Sequence, residues 1–120
     1  MTVVPHGQPL VPATALEQLS SYSLILDCTD RPNTRYLLSD VSVLLGIPLV
    51  HGAALGNVGQ WSIYNHQGGP CYRCIWPQVL PGGSGTCDER GVWGPVTGVV
   101  GNMMASETLK LLLGHDGEFW

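Results

Sequence analysis

The sequence predicts an α/β fold in which a strand, a helix and a second strand follow one another through short loops. Residues 23–27 form a short apolar run between turn formers, which is typical of a buried parallel strand. Residues 48–51 repeat this pattern after a helical stretch. With 120 residues, of which 44% are apolar and 12% charged, the chain has the composition of one globular unit with a sizeable core.

The first half of the chain predicts a helix before the first strand and another after it. The first helix is expected over residues 13–22. The second has Pro32 in its first turn, is capped by Thr29 or Asp30, and ends at Gly46. Its predicted apolar stripe consists of Leu37, Val41, Leu44 and Leu45.

The second half changes character. Residues 60–65 alternate in the manner of a half-exposed antiparallel strand, and residues 77–86 predict a flexible crossover loop. A long helix is expected over residues 95–113, where Gly98 and Gly101 permit close approach to a neighbour. Its predicted apolar face consists of Val96, Val99, Val100, Met103 and Met104.

Charge and hydropathy exclude two classes of function. The net charge is −4, and the five Lys and Arg residues are scattered, so no basic stripe is available to contact a nucleic-acid backbone. The first twenty residues lack the pattern of a signal peptide, and no apolar run is long enough to cross a bilayer. We therefore expect a cytoplasmic protein with reduced thiols, which contacts neither nucleic acid nor a membrane directly.

Cys71 and Cys74 form a Cys-x-x-Cys turn, which points two sulfurs in the same direction and suits half of a tetrahedral zinc site. Two more ligands are then needed from the other cysteines, from the four histidines or from polypeptide outside this sequence. Structural thiols without metal are an alternative. A redox motif is less favoured, because Gly-Gly-Pro at 68–70 precedes the turn and Pro77 follows it, unlike a strand–helix junction.

Two acidic residues lie at the carboxyl end of the first predicted strand. Ligands of open α/β sheets bind beyond the strand carboxyl ends, so Asp27 and Asp30, beside Arg31 and Arg35, are candidates for holding a metal–nucleotide group. The alternative is that Asp30 is only a helix cap. No glycine-rich dinucleotide loop or P-loop occurs in the sequence, so the chain is not expected to hold a triphosphate by itself through a known loop.

Cys87 follows a glycine-rich segment and precedes the last predicted helix, which suits an accessible nucleophilic thiol. The neighbouring Asp88 and Glu89 favour the neutral thiol, and only Arg90 opposes them. A third zinc ligand and an inert thiol are alternative interpretations. Cys28, at a strand end among apolar residues, is expected to be a buried small hydrophobe.

A set of motifs extends in order over roughly residues 8–114. The motifs lie at residues 26–36, 48–50, 59–60, 69–74 and 91–96. Together they resemble the adenylating domain of ubiquitin-like-protein activating enzymes, of which the bacterial ThiF and MoeB proteins are members. Within that family they are most similar to the eukaryotic adenylyltransferase–sulfurtransferases that activate the ubiquitin-related modifier and the small subunit of molybdopterin synthase. The resemblance implies a Rossmann-like adenylating domain.

The resemblance also implies a reaction. The C-terminal Gly-Gly carboxylate of a ubiquitin-like sulfur carrier attacks the α-phosphate of Mg-ATP, which gives an acyl-adenylate and pyrophosphate, and sulfur then replaces AMP. This activation serves transfer-RNA thiolation, protein urmylation and molybdopterin synthesis. The carrier and, in the complete enzyme, a second copy of the same chain are the implied partners.

By motif matching, the resemblance assigns roles to individual residues. Asp30 helps to hold Mg-ATP, and Arg31 occupies the adjacent position, where the family usually has Asn. Cys71 and Cys74 match the first pair of Zn²⁺ ligands. Cys87 matches the cysteine proposed to take the activated carrier tail as a thioester or related acyl intermediate.

The resemblance identifies residues 1–120 as the C-terminal part of a single ThiF-type adenylating domain. The family's glycine-rich nucleotide loop, its phosphate-binding Lys, its second Cys pair and a rhodanese-like domain are not in this sequence. We therefore expect a fragment that is inactive alone, self-associates through an open sheet edge and works with a separate N-terminal half. The alternatives are a non-catalytic carrier-binding or dimerising half-domain and a small zinc-binding module.

Overall fold

The computed structural model describes residues 1–78 and 91–115. These ranges contain a three-stranded sheet in the order β1-β2-β3, in which β1 is parallel to β2 and β2 is antiparallel to β3. The strands are β1 (Ile25–Asp27), β2 (Leu49–Leu55) and β3 (Val58–Tyr64). The predicted α/β class and the antiparallel third strand are therefore confirmed.

Four helices lie in the described ranges, and none of them is long and apolar enough to span a membrane. They are α1 (Pro12–Leu19), α2 (Pro32–Leu45), α3 (Tyr72–Ile75) and α4 (Gly94–Leu113). The predicted helices and strands are present, although α1 and β1 are shorter than expected. Nearly all of the predicted crossover loop at 77–86 lies outside the described residues, as does Cys87.

The start of α2 differs from the prediction. Its N-cap residue is Arg31, which makes no side-chain capping hydrogen bond, and Pro32 occupies the first turn. The Thr29 hydroxyl instead donates to the Asp27 carboxylate at 2.7 Å, because that carboxylate is fully buried and needs donors. At the other end, Gly46 takes the left-handed conformation (φ 67°) that the sequence predicts for a helix terminus.

The buried face of α2 is rotated from the predicted stripe. Leu44 is 72% exposed, whereas Tyr36 and the small polar residues Ser39 and Ser42 are buried. The Ser42 hydroxyl donates to the Ile47 carbonyl at 2.6 Å, which satisfies it inside the core. A pattern of apolar residues alone misses this face, because two serines form part of it.

Helix α4 packs on the opposite face of the sheet. A Cβ atom on Gly52 would overlap the Met104 thioether and lie 2.9 Å from Val100 Cγ1, and one on Gly59 would lie 2.5 Å from Val100 Cγ2. A Cβ on Gly98 would meet no described atom within 4 Å. The predicted close approach is therefore real, but it depends on glycines in the strands and not on those in the helix.

Candidate functional site

A cleft of about 200 Å³ opens beyond the carboxyl end of β1 and along the second half of β2. The region beyond a strand's carboxyl end is the usual place for a ligand in an open α/β sheet. The loop after β1 forms one wall, and β2, α4 and the segment before α4 form the others. The lining residues are Cys28, Thr29, Asp30, Arg35, Gly52, Ala53, Ala54, Val92, Thr97, Val100, Gly101 and Met104.

The cleft brings together one carboxylate and one guanidinium. Asp30 and Arg35 both line it, and Arg35 Nη2 donates to the Thr29 carbonyl at 3.3 Å. Arg31 is exposed at the N-cap of α2. An exposed carboxylate beside an arginine is suited to an anionic ligand that carries a divalent cation.

A buried polar pair lies below this loop. Asp27 and His51 are paired residues in the parallel β1–β2 register, and the two side chains are 0% and 1% exposed. His51 Nδ1 lies 2.9 Å from Asp27 Oδ2, and the Thr29 amide donates to Asp27 Oδ1 at 2.9 Å. Asp27 thus links β2 to the loop that leads to Asp30.

Hydrogen bonding decides the charge state of Asp27. Burial acts to raise the pKa of this carboxyl, but hydrogen bonds from His51 and Thr29 outweigh it and leave the pKa below its ordinary value. Asp27 is therefore an acceptor-only carboxylate at neutral pH, and His51 carries its proton on Nδ1 to donate to it.

Cys28 differs from the expectation of a buried hydrophobe, because the residue is exposed at the cleft. Partial burial of the thiol, followed by the nearby Asp27 carboxylate, raises the pKa of Cys28. The thiol form is therefore favoured at neutral pH, which disfavours a nucleophilic role for this residue.

The Cys-x-x-Cys turn has the geometry that the sequence predicts. Cys71 is the N-cap residue of the one-turn helix α3, Cys74 lies within that helix, and their sulfurs are 3.5 Å apart. Two sulfurs bound to one tetrahedral zinc at ~2.3 Å lie about 3.8 Å apart, so the pair fits half of such a site. Within residues 1–78 and 91–115, no cluster of three or more His, Cys, Asp or Glu side chains suits a metal.

The local hydrogen bonds favour a thiolate at Cys71. Burial acts to raise the pKa of this thiol, but donors that include the Cys74 amide, the Cys74 thiol and the Arg73 amide lower it below its ordinary value. A thiolate is the form that binds metal.

Helix α3 is attached to α2 by polar and aromatic contacts. Arg73 donates to both carboxylate oxygens of Asp40 at 2.6 and 2.8 Å, and its guanidinium lies 4.6 Å from the Tyr36 ring centroid. The Tyr36 hydroxyl donates to the Trp76 carbonyl at 2.8 Å. The Tyr72 ring packs edge-on against Tyr36 at 5.2 Å. These contacts fix where the two cysteines are presented.

Sequence reasoning offered His51 only as one of four histidines that could be zinc ligands, and it did not predict the pairing of His51 with Asp27. Its ring centroid lies 5.4 Å from that of Tyr72 and 6.0 Å from that of Tyr64, so it connects the cysteine helix to Asp27. A polar residue two positions after the buried Leu49 in a predicted parallel strand was the available signal, since it shares the Leu49 face.

The segment that precedes α4 is hydrogen-bonded to Gly56 in the β2–β3 turn and borders the cleft. The Gly56 amide donates to the Gly91 carbonyl at 3.0 Å, and the Trp93 amide donates to the Gly56 carbonyl at 2.9 Å. These hydrogen bonds hold Val92 against the β2–β3 turn, where Val92 forms part of the cleft wall. Cys87 precedes this bridge by a few positions in the sequence.

Comparison with known proteins gives a consistent match. The ThiF family model matches residues 1–119. The adenylyltransferase and sulfurtransferase MOCS3 of Aedes aegypti is 47% identical over 116 residues, which are 96% of this chain and 26% of that protein. The MOCS3 of Arabidopsis thaliana is 52% identical over 107 residues, 88% of this chain and 23% of that protein. The adenylyltransferase and sulfurtransferase UBA4 of Yarrowia lipolytica is 45% identical over 119 residues, 98% of this chain and 30% of that protein.

Proposed function

Because the chain belongs to the ThiF family, we propose that it contributes to the ATP-dependent adenylation of the C-terminal carboxylate of a ubiquitin-like sulfur carrier. The observation that carries this proposal is the cleft beyond the end of β1, which Asp30 and Arg35 both line. The chain spans between 23% and 30% of the length of the compared relatives, whose names include adenylyltransferase and sulfurtransferase activities.

The proposed reaction transfers an adenylyl group to the carrier. A carboxylate oxygen of the carrier tail forms a bond to the α-phosphorus of ATP, the bond between that phosphorus and the β-bridging oxygen breaks, and pyrophosphate leaves with the electron pair. Asp30 would hold Mg²⁺, for which a carboxylate is a suitable oxygen ligand, and the ion would neutralise charge on the phosphates. Arg35, and Arg31 at the adjacent N-cap, would supply positive charge toward the anionic substrate.

Cys71 and Cys74 are proposed as two ligands of a structural Zn²⁺. Three features support this: the shared direction of the sulfurs, their 3.5 Å separation and the lowered pKa of Cys71. The remaining ligands would come from polypeptide other than the described residues, since no larger ligand cluster occurs in those ranges. A bound metal would then fix this turn relative to that polypeptide.

Cys87 is proposed as the acceptor of the activated carrier tail. The thiolate sulfur would attack the acyl carbon of the adenylate, the bond from that carbon to the AMP oxygen would break, and a thioester would form. The match to the ThiF family supports this proposal. The other proposed partners are a second copy of the chain and the Gly-Gly carrier, and the proposed compartment is the cytoplasm.

A second candidate is a non-catalytic unit that binds the carrier or dimerises without activating ATP. The observation that favours it is a set of exposed apolar side chains near the end of α4, where Leu109, Leu112 and Leu113 are 59%, 61% and 71% exposed. This candidate predicts carrier binding that does not change with Mg-ATP.

ATP–pyrophosphate exchange in the presence of a carrier that ends in Gly-Gly separates the two candidates. The assay is run on the chain alone and with the nucleotide-loop half of a relative added in trans. We expect exchange in the complemented mixture, lost in Asp30→Asn and retained in the exposed control Glu17→Gln. Exchange that is absent from every mixture, together with carrier binding that is indifferent to Mg-ATP, would favour the non-catalytic unit.

A further inference from the structure

We propose that Asp27 and His51 form a positioning pair that holds the loop from Asp27 to Asp30 in the shape that presents Asp30 to a metal–phosphate ligand. The inference rests on the proposed nucleotide-binding role of the cleft. Neither Asp27 nor His51 touches the ligand in this proposal, and both act through the loop.

The sheet register brings the two groups together. Asp27 ends β1 and faces His51 across the parallel pairing with β2, and the adjacent pair on the same face is Ile25 with Leu49. All four side chains are at most 5% exposed. A carboxylate at such a position is costly unless its oxygens accept hydrogen bonds, so its presence requires nearby donors.

The donors come from the two structures that the pair connects. Oδ2 accepts from His51 Nδ1 at 2.9 Å, on the rigid strand β2. Oδ1 accepts from the Thr29 amide at 2.9 Å and from the Thr29 hydroxyl at 2.7 Å, on the loop. The carboxylate therefore ties Thr29, the residue before Asp30, to the centre of the sheet.

Within the described part of the chain, the contact with Asp27 is the one polar contact that the His51 side chain makes. Its Nε2 is buried and has no hydrogen-bond partner among the described residues. The rings of Tyr64 and Tyr72 pack around the imidazole and fix its orientation. A buried imidazole with one polar bond, directed at a carboxylate, is arranged to orient that carboxylate.

A series of variants at position 51 distinguishes whether the loop needs a hydrogen-bond donor there or the imidazole ring itself. His51→Leu removes the donor, whereas His51→Asn keeps an amide N–H near the position of Nδ1. We expect hydrogen exchange of the Thr29 amide to be on the order of tenfold faster in His51→Leu. In His51→Asn we expect it to stay within about twofold of the wild type, because one donor bond is retained.

Ligand binding is measured on the ¹⁵N-labelled chain mixed with the nucleotide-loop half of a relative, with Mn²⁺-ATP as the probe, through paramagnetic broadening of the amides from Cys28 to Arg31. We expect the apparent Kd to rise by about tenfold in His51→Leu and to be restored by His51→Asn, since a small displacement of a binding group weakens an oriented contact. His6→Asn, at a histidine that contacts Tyr22 and does not line the cleft, should leave both readouts unchanged.

A destabilised control distinguishes positioning from general stability. Val41→Ala shortens a buried side chain on α2 and should speed exchange of protected amides across the whole chain, without a selective effect on Thr29. If His51→Leu does not fold, Thr29→Val replaces it, since it deletes only the hydroxyl bond to Asp27. That variant should weaken Mn²⁺-ATP binding in the same direction.

The outcomes separate this inference from the proposed function. Unchanged Thr29 exchange in His51→Leu, or equal losses in His51→Leu and His51→Asn, would overturn the positioning pair. Where His51→Leu does not fold, unchanged Mn²⁺-ATP binding in Thr29→Val would overturn it. If wild-type loop amides are not broadened by Mn²⁺-ATP while Thr29 exchange still depends on the His51 donor, the nucleotide role fails and the loop-holding role stands.

Discussion

The two faces of the sheet are stabilised by different kinds of interaction. On the α2 face, the apolar pair Ile25 and Leu49 is followed by a carboxylate–imidazole pair, and hydrogen bonds at 2.7–2.9 Å hold the Asp27 carboxylate. On the α4 face, Val50, Val100 and Met104 form an apolar cluster, and Gly52 lets the helix approach the strand without space for a methyl group. The one buried carboxylate that α4 contributes in the described ranges, Glu107, pairs with Lys110 of the same helix at 3.0 Å and not with the sheet.

The difference teaches where each face is sensitive. Directional bonds fix one arrangement of a loop, but they fail when a single partner is removed. Close packing tolerates small changes of chemistry, but it resists added volume. The α2 face is therefore suited to positioning a site, whereas the α4 face contributes mainly to the stability of the fold.

The largest expected effect comes from breaking the buried pair on the α2 face. His51→Leu leaves the Asp27 carboxylate without its buried partner, so the free energy of unfolding should fall by about 3–5 kcal/mol. Urea unfolding followed by circular dichroism measures this loss. A change below about 1 kcal/mol would mean that other donors replace the imidazole.

The α4 face should respond to added volume by a smaller amount. Gly52→Ala introduces a Cβ that overlaps Met104 and lies 2.9 Å from Val100, so we expect a loss of about 1–3 kcal/mol. Gly98→Ala is the matched control, since its Cβ meets open space in a helix interior and should stabilise by up to about 1 kcal/mol. Equal effects of the two substitutions would contradict the packing role of the strand glycine.

A pH titration sharpens the comparison further, because it tests Asp27, the buried carboxylate of the α2 face. The pKa of Asp27 is lower in the folded state, owing to hydrogen bonds from His51 and Thr29 that outweigh the effect of burial. Its contribution to stability is thus present above the ordinary carboxyl pKa and is lost as pH falls through the lower folded value. We expect Asp27→Asn to flatten the stability curve in that acidic window, as measured by urea unfolding at several pH values. If the variant's stability depends on pH as steeply as that of the wild type, the acid sensitivity arises from other carboxyls.

The smallest effect is expected from an ion pair at the protein surface. Arg73 and Asp40 form a bidentate pair whose side chains are 49% and 45% exposed, so Arg73→Gln should change global stability by less than about 1 kcal/mol. The local effect should be larger: with metal removed, Cys71 and Cys74 should react faster with a disulfide reagent, because α3 loses one of its anchors. Unchanged thiol reactivity would show that the tyrosine contacts alone hold the turn.

The sequence predicted the elements that have strong local signals. Pro32 and Gly46 marked the ends of α2, the period-two alternation marked β3, and the Cys-x-x-Cys spacing predicted the shared direction of the sulfurs. The ThiF family match confirms the resemblance that the motifs indicated. Asp30 was placed beyond the first strand from the general rule for α/β sheets, and it does line the cleft.

The remaining features depend on contacts between segments far apart in the sequence. The Thr29 hydroxyl turns to Asp27 and not to the helix, and His51 meets Asp27 only through the strand register. Local preference cannot predict such choices, because a buried carboxylate competes for donors with a helix cap. The roles of Asp30, Arg31, Cys71, Cys74 and Cys87 remain predictions.

The way in which α3 is attached has a consequence for the order of assembly. This helix has a single turn, and its anchors are Tyr36, Asp40 and Tyr64, which belong to α2 and β3. A one-turn helix has little stability by itself, so the cysteine pair reaches its geometry only after those elements have packed. In a zinc finger, metal binding drives folding. Here the proposed Zn²⁺ would instead bind only after α2 and β3 have packed.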